Sequence, residues 1–270
     1  MSGGFITGEI AMPDSDSEEY VRGENTAVMK TADRLAGAFM RISRTLEMKT
    51  TIYSTYDEGR DLLLKEIEAC LPGAGEQFDH NAFLDALTSK LVQGISASEA
   101  IHLGCLLDPL VQELYLRGWN NLTIDLSMLP VERVAPFALG GDAPWFIGYG
   151  LTGTIERPLA LTYRGDVHNI GEEASYCRLT LEGKCAHAGS KADHSSLVLK
   201  ETYEAGERAK GCRFELERAD SLAYMAENCA FYVKDLSGKD LDERWRWWIP
   251  AYGCSLHTPD KHGGWAVVER

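Results

Sequence analysis

The chain has 270 residues, of which 44% are hydrophobic and 25% charged, as in an ordinary globular protein that can bury a sizeable core. Its 41 acidic and 27 basic residues give a formal net charge of −14. A field of that sign repels phosphate backbones and anionic lipids, so we expect neither nucleic acid nor a membrane among its partners.

The sequence also predicts where the chain is located. No apolar run approaches the roughly 18 residues that a membrane-spanning helix needs. Residues 1–20 lack the basic and apolar segments of a signal peptide. Seven cysteines, an odd number without paired spacing, favour a reducing compartment. We therefore expect a cytoplasmic protein.

The first 118 residues divide into a polar leader, 1–22, predicted to be flexible, and a helical domain, 23–118. Apolar residues recur at helical spacing from Asn25 to Lys49 and again from Asp57 to Cys70. These helices are amphipathic and carry no motif associated with catalysis, so we interpret them as a packing domain.

Polar residues mark the starts of three further helices. Asp79 can cap a third helix, and residues 96–99 form a capping box that opens a fourth. Asp108 followed by Pro109 predicts a new N-cap with proline at the first helical position. Gly118 is predicted to end the helical domain.

The pattern changes at Trp119, and residues 119–160 are predicted to be a Gly/Pro-rich junction with the first strands. Leu122 to Leu126 alternates in hydrophobicity as a strand does. From Pro130 to Pro158 the chain is rich in glycine and proline, which favour turns.

A repeat of 17 and 18 residues begins at Leu161. Short apolar strands start at Leu161, Leu179, Leu197, Phe214 and Phe231, at steps of 18, 18, 17 and 17 residues. Small residues precede the last four strands at fixed distances: Ala174, Ala192, Ala209 and Ala226 lie five residues before them, and Cys177, Ser195, Cys212 and Cys229 lie two before them. Glycine lies eight residues before three of those strands, with Ala223 before the fourth, and Gly153 indicates one more coil beginning near Trp145.

Such a repeat predicts a parallel β-solenoid over residues 161–235. Stacked coils about 4.8 Å apart bring like positions into ladders, and a narrow corner admits only small side chains. The fold class is thus α+β: a helical N-terminal domain, a solenoid with 17- and 18-residue coils, and a Trp-rich cap over residues 236–270.

The coil from Leu161 to Cys177, with its Gly165-Asp166 pair and Gly171, resembles the β-helix of the glutamate synthase C-terminal domain. That fold family also includes one of the chains of formylmethanofuran dehydrogenase, and the resemblance covers residues 145–235. It implies right-handed coils that act as a scaffold between catalytic parts. It supplies no catalytic residue for this chain.

Four side chains in the solenoid are candidates for a metal site: His168, Cys185, His187 and His194. Stacking is expected to bring His168 and His187 to one outer face, and three nitrogen or sulfur ligands can bind Zn²⁺. Their spacing matches no standard zinc motif. The alternative interpretation is a set of solvated polar residues on the solenoid flank.

Cys212 and Cys229 occupy one phase of adjacent coils. That placement is compatible with a disulfide or with a site for a soft metal. The alternative is that both cysteines are small buried residues of the corner, because Ser195 fills the same phase one coil earlier.

The C-terminal segment interleaves Trp245, Trp247 and Trp248 with Arg244 and Arg246. One interpretation is a cap over the open end of the solenoid, whose apolar interior needs covering. The other is a partner-docking surface, because Trp and Arg dominate interface hot spots.

We therefore predict a non-catalytic scaffold or assembly subunit that associates with another protein subunit or with itself. No cofactor is predicted and no catalytic residue is assigned, since phosphate loops, nucleophile elbows and dinucleotide fingerprints are missing from the sequence. One alternative is a metal-assisted enzyme with a pocket between the helical domain and the solenoid, using His102, His168, His187 and Cys185. Another is a subunit of a redox or one-carbon enzyme complex.

Overall fold

The structure is a computed structural model that describes residues 15–46, 52–72, 78–129, 143–235 and 252–268. The helices are α1 (Ser15–Ser43), α2 (Ile52–Cys70), α3 (His80–Gly94), α4 (Ala97–Ala100) and α5 (Leu103–Leu116). The strands are β1 (Asn121–Asp125), β2 (Phe146–Ile147), β3 (Leu159–Arg164), β4 (Val167–Ile170), β5 (Cys177–Ala188), β6 (Ser196–Ala205), β7 (Arg213–Leu222), β8 (Ala230–Asp235), β9 (Ser255–Pro259) and β10 (Trp265–Val267). A helical domain followed by a parallel β-solenoid confirms the predicted fold class.

The helical domain packs α1 against α2 and α3, and α2 against α5. Helix α1 already begins at Ser15, within the range 1–22 that the sequence predicts as a leader. Helix α3 starts after Asp79, whose carboxylate accepts hydrogen bonds from the N–H groups of Asn81 and Ala82, both at 3.0 Å. The predicted cap at Asp79 is thereby confirmed. Within the described part of the chain, no helix is long and apolar enough to cross a membrane.

The prediction of a new helix start at Asp108 is wrong. Helix α5 runs unbroken from Leu103 to Leu116 with Pro109 inside it. Asp108 is 2% exposed, and its carboxylate is used for contacts with distant residues, not for capping the backbone beside it. The local pattern was misleading because the partners of Asp108 lie 40 and more positions away along the chain.

The solenoid is a stack of parallel strands in register. Strands β1, β3, β5, β6, β7, β8 and β9 each pair with the next in that order. Their inward side chains form one buried column: Leu122, Leu161, Leu179, Leu197, Phe214, Phe231 and Leu256. The ladder thus extends beyond the predicted range 161–235 at both ends.

The extra coil that Gly153 indicated is present. Strand β2 pairs in parallel with β4, and Thr152 bridges Ser175 in the following coil. A side chain at Gly153 would bring its Cβ to 2.4 Å from the carbonyl oxygen of Tyr176. Glycine is needed there because the next coil passes so close.

A bulge separates the 18-residue coils from the 17-residue coils. The pairing of β5 with β6 shifts by one residue between Leu181 and Lys184. The carboxylate of Asp166 accepts from the backbone N–H of Lys184 at 2.9 Å, and a Cβ at Gly183 would overlap the carbonyl of Gly165. The Gly-Asp pair, which belongs to the preceding coil, therefore contacts and stabilises the bulged segment of β5.

The small residues of the repeat lie at one tight corner. Ala174, Ala192, Ala209 and Ala226 are at most 2% exposed. The carbonyls of Ala174, Ala192 and Ala209 each accept a 2.8 Å hydrogen bond from the residue that follows the alanine of the next coil. The prediction that these alanines align in one column is confirmed, and with it the stacking on which the solenoid prediction rests.

The backbone at this corner turns through left-handed conformations. Gly189 and Gly206 have φ of 63° and 77°, and a Cβ there would lie 2.7 and 2.8 Å from the ring of a phenylalanine in the solenoid stack. One coil later the same position is Ala223, at φ 60°. An L-residue with a side chain is strained in this conformation.

We expect Ala223→Gly to stabilise the protein by about 0.5 kcal/mol, because relief of a strain of about 1–2 kcal/mol outweighs the entropy that glycine gains in the unfolded chain. Chemical denaturation followed by circular dichroism measures the free energy of unfolding. Ala226→Gly, three residues later and not among the described residues with positive φ, is the control and should destabilise. Equal losses for both variants would contradict the strain at Ala223.

Candidate functional site

The helical domain is joined to the solenoid through Asp108 of α5. Its carboxylate accepts hydrogen bonds from the N–H groups of Gly148 at 2.6 Å and Tyr149 at 3.1 Å, just after β2. The hydroxyl of Tyr56 in α2 donates to the same carboxylate at 2.5 Å. One buried acid therefore holds two helices and the first solenoid turn together.

Two further residues of α5 continue this contact on the same helix face. The amide of Gln112 donates to the carbonyl of Thr152 at 3.1 Å and accepts from its N–H at 2.8 Å, as a neighbouring strand would. The hydroxyl of Tyr115 donates to the carbonyl of Arg157 at 2.8 Å, and the Arg157 guanidinium lies 4.2 Å from the centre of the Tyr115 ring. Helix α5 thus satisfies polar groups at the beginning of the solenoid.

Burial raises the pKa of Asp108 to about 6, against the opposing effect of its three hydrogen bonds. Burial next to this acid also raises the pKa of Tyr56 well above its usual value, so the phenol stays protonated and donates. Of these two groups only Asp108 can therefore ionise, and Tyr56 remains a hydrogen-bond donor to it in a structural role.

A second polar contact joins α2 to the solenoid corner. The hydroxyl of Tyr53 donates to the carboxylate of Glu172 at 2.8 Å, and Lys191 lies 3.6 Å from that carboxylate and 2.9 Å from Glu173. Glu172 is 4% exposed, and burial raises its pKa. Tyr53 and Lys191 together satisfy the carboxylate of Glu172, so we interpret this cluster as part of the interface between the two halves.

The predicted metal ligands of the solenoid face different surroundings. Cys185 is 1% exposed, and its thiol lies 4.0 Å from the carbonyl of Glu201. His187 lies nearly half exposed on the outer surface, with Nδ1 3.3 Å from the carboxylate of Glu204. Because Asn169 is in register with His187, His168 is displaced by one residue from the position that stacks on His187.

The fourth predicted ligand, His194, lies at a corner with φ of 45°. Its Nδ1 is 2.8 Å from the carboxylate of Asp193, and its ring stacks on Tyr176 at a centroid distance of 5.4 Å. Across the ranges that the structure describes, no group of three or more His, Cys, Asp or Glu side chains is arranged to hold a metal ion.

The cysteines of the corner form a hydrogen-bonded column. The N–H of Cys177 donates to the hydroxyl of Ser195 at 3.1 Å, and that of Ser195 donates to the sulfur of Cys212 at 3.4 Å. The N–H of Cys212 donates to Cys229 at 3.4 Å, and that of Cys229 to Cys254 at 3.3 Å. All seven cysteines are free thiols, so this column is a structural ladder and not a disulfide.

The predicted docking residues Arg244, Trp245, Arg246, Trp247 and Trp248 lie outside the described residues. The described part of the C-terminal region is a hairpin instead. Strand β9 adds to β8 in parallel, and β10 pairs with β9 in antiparallel orientation.

An aromatic stack that the sequence did not predict lies beside this hairpin. The rings of Tyr232 and His257 stack at 4.3 Å, and the guanidinium of Arg213 lies 3.8 Å from the centre of the Tyr232 ring on β8. Trp265 meets the edge of Tyr232 at 5.3 Å. The repeat did not reveal it, because β9 follows β8 after 25 residues and not 17.

His102, considered above for enzyme chemistry, lies in the helical domain at the start of α5. It lines a cavity of about 670 Å³ together with Arg44 and Glu99. Its ring contacts that of Trp145 at 5.7 Å, whereas Cys185 and His187 lie on β5 of the solenoid.

No protein-family model, curated protein or solved structure matches the chain. The resemblance to the glutamate synthase domain therefore stays a prediction. The fold and its contacts define a class: a parallel β-solenoid with a helical domain at its beginning and a short antiparallel hairpin at its end.

We expect the stability that Asp108 contributes to fall as the pH rises. Its pKa is about 6 in the folded protein and about 3.9 in an unfolded chain, so between these values only the folded state holds the proton. The contribution is full below about pH 4 and is lost as the pH rises through about 6.

Urea denaturation of wild type and Asp108→Asn at a series of pH values measures this effect. Wild type minus variant should decrease by on the order of 3 kcal/mol in free energy of unfolding between pH 4 and 7. A difference that is constant or increases with pH would show that Asp108 does not titrate in this way.

We also expect only Cys70 to react rapidly with a thiol reagent in the native protein. It is partly exposed, whereas the other six cysteines are buried and out of reach of the reagent, including Cys212, whose pKa is lowered by its hydrogen bond with Cys229. Ellman's reagent counts the reactive thiols, with guanidinium releasing all seven. Cys70→Ser should remove the rapid phase, and rapid reaction of a column thiol would disprove the ladder.

Proposed function

We propose that this chain is a non-catalytic scaffold or assembly subunit, and that a second copy of the chain joins it at strand β10. The observation that carries the proposal is that helices pack against the first strands of the sheet, whereas its last strand is exposed. Helix α3 packs against β1 and α5 against β2, whereas β10 is the last strand in the described sheet order and all three of its residues are exposed.

Strand β10 presents backbone groups on its outer side that do not face β9. The N–H of Val268 donates to Leu256 and the carbonyl of Gly264 accepts from Asp260, so alternate residues of β10 face β9. The N–H groups of Trp265 and Val267 consequently point away from the sheet. An edge of this kind accepts another strand through main-chain hydrogen bonds.

The side chains at this edge favour association as well. Trp265, Val267 and Val268 are 39%, 57% and 46% exposed. Exposed apolar side chains grouped on an edge strand are typical of protein interaction sites.

Charge makes a second copy a suitable occupant. The chain carries −14 overall, yet residues 252–268 contain one aspartate and one lysine and no other Asp, Glu, Lys or Arg. Two acidic molecules can therefore approach each other at this hairpin with little repulsion. An antiparallel pairing of two β10 strands would be isologous and would close at a dimer.

The outer wall of the solenoid supports a scaffold more than an enzyme. Its charged residues pair along the columns: Arg164 with Glu182, Lys184 with Glu201, Lys191 with Glu173, and Lys234 with Glu217. Most of these groups are exposed to solvent, so each pair adds little stability. They neutralise one another instead of converging on a reacting group.

We further propose a cytoplasmic location and no bound cofactor. Seven free thiols, six of them buried without disulfide partners, suit a reducing compartment. Another subunit can use the same edge by the same strand pairing, and Trp245, Trp247 and Trp248 remain proposed docking residues near it in sequence.

Val267→Pro tests the edge, because proline removes one outward N–H without disturbing the bonds between β10 and β9. Sedimentation velocity over a concentration series should show a wild-type dimer that the variant weakens at least about tenfold, since both copies lose a hydrogen bond. Val267→Thr, which keeps the N–H and the branched side chain, is the matched control. A wild type that sediments as a monomer throughout, or a variant that associates equally well, would refute the proposal.

A further inference from the structure

A column of left-handed residues lies where each coil of the solenoid enters its next strand. Tyr176, His194 and Asn228 belong to it at φ of 52°, 45° and 53°, and Gly211 lies between His194 and Asn228 at φ of 59°. The backbone N–H of each of the four donates to a carbonyl of the coil that follows. Because three coils hold a side chain at this position, the backbone conformation does not by itself require glycine at Gly211.

Gly211 leaves space over one face of the His194 ring. The other face stacks on Tyr176 in the preceding coil, with ring centroids 5.4 Å apart and 19° between the planes. A Cβ at Gly211 would lie 3.2, 3.2 and 3.4 Å from Cδ2, Nε2 and Cε1 of the imidazole. Distances so nearly equal place that Cβ above the ring and not beside its edge. A planar group in this space would therefore continue the stack of Tyr176 and His194.

The His194 ring is accessible and held in one orientation. Its side chain is 57% exposed, and Nδ1 lies 2.8 Å from the carboxylate of Asp193. An ionised carboxylate only accepts hydrogen bonds, so Nδ1 is the donor. A ring that is already fixed loses little conformational entropy when a ligand stacks on it.

Two arginines and a serine lie on the sheet face next to this corner. Arg178, Ser196 and Arg213 are in register on β5, β6 and β7, each two residues after the left-handed residue of its coil. Neighbouring strands are about 4.8 Å apart, so Ser196 lies between arginines whose Cα atoms are about 10 Å apart. The Cα atoms of His194 and Ser196 are at most about 7 Å apart. One small molecule can therefore contact the His194 ring, Ser196 and Arg178.

Arg178 has no acidic partner. It is exposed, and it forms no hydrogen bond or ion pair within the part of the chain that the structure describes. Arg213, by contrast, donates from Nε to Glu215 at 2.8 Å and lies over the ring of Tyr232. An unpaired guanidinium beside a hydroxyl, in a chain of net charge −14, favours an anionic ligand. A phosphate, with up to two charges and three acceptor oxygens, matches these donors better than a carboxylate.

We propose that this corner binds a nucleoside monophosphate, with its base stacked on His194 in the space that Gly211 leaves and its phosphate on Arg178 and Ser196. These four residues and Arg213 line one cavity of about 430 Å³, within the range of about 300–1,000 Å³ that small-molecule sites occupy. The proposal goes beyond the scaffold function and does not depend on it, because the cavity includes no residue of β10.

Three probes separate the two contacts: adenosine 5′-monophosphate, adenosine and ribose 5-phosphate. Calorimetry measures their affinities, and nuclear magnetic resonance of protein labelled with ¹⁵N-histidine reports on the His194 ring, which the spectrum of His194→Gln assigns. We expect the monophosphate to shift the His194 signals. It should bind at least about tenfold more tightly than adenosine, which lacks the phosphate, or ribose 5-phosphate, which lacks the base.

Arg178→Gln tests the phosphate contact. It should reduce the affinity for the monophosphate at least about tenfold and leave the weaker binding of adenosine unchanged. Lys200→Gln is the matched control, because it removes the same charge from an exposed residue of β6 that does not line this cavity. Its affinity for the monophosphate should equal that of the wild type.

Gly211→Asn tests the stacking contact. The backbone accepts asparagine, since Asn228 has the same conformation one coil later, but the side chain fills the space over His194. Binding of the monophosphate and of adenosine should fall at least about tenfold, and binding of ribose 5-phosphate should not change. Gly150→Asn is the control, because Gly150 has φ of 64° and the nearest atom to a Cβ there is 3.9 Å away.

Thermal unfolding followed by circular dichroism shows whether Gly211→Asn is folded, and the exposed Arg178→Gln tests the site independently if it is not. The proposal would be overturned by unchanged His194 signals at millimolar monophosphate or by equal affinities for the three probes. Wild-type affinity for the monophosphate in Arg178→Gln or in folded Gly211→Asn would overturn it as well.

Discussion

The solenoid depends on one constraint: at each corner the chain must turn inside a space that the coils above and below also occupy. Only small side chains fit the inner side of that turn, which is why Ala174, Ala192, Ala209 and Ala226 fall in one column. The backbone there needs left-handed conformations, supplied by glycine in three coils and by Ala223 in the fourth. The cysteine ladder follows from the same constraint, because a thiol is small and accepts a hydrogen bond from the backbone of the adjacent coil.

This constraint is periodic, and the sequence therefore predicts the part of the fold that obeys it. The strands at β1 and β9 belong to the same stack but could not be predicted from the repeat. Leu122 precedes Leu161 by 39 positions and Leu256 follows Phe231 by 25, so insertions hide their phase. Both strands are nevertheless in register with their neighbours, which shows that the insertions do not disturb the pairing of the strands.

Contacts between distant segments are the part that local patterns could not supply. Asp108 and Pro109 look like a helix start, yet the folded chain uses Asp108 to bind the backbone after β2 and the hydroxyl of Tyr56. The predicted metal ligands show the same limit of local sequence patterns. The sequence drew attention to His168, Cys185, His187 and His194 because they are close in the chain, but in the folded chain Cys185 is buried whereas His187 and His194 pair with carboxylates at the surface.

Helix α5 and the turn that precedes it carry two buried polar side chains that differ in their hydrogen bonds. Asp108 has three donors around its carboxylate, so the protein itself accounts for it. His102, six residues earlier, has no partner among the described residues, although it is almost as deeply buried. Burial alone therefore does not identify a residue that joins the two halves. The convergence of donors from α2 and from the turn after β2 identifies Asp108 as that residue.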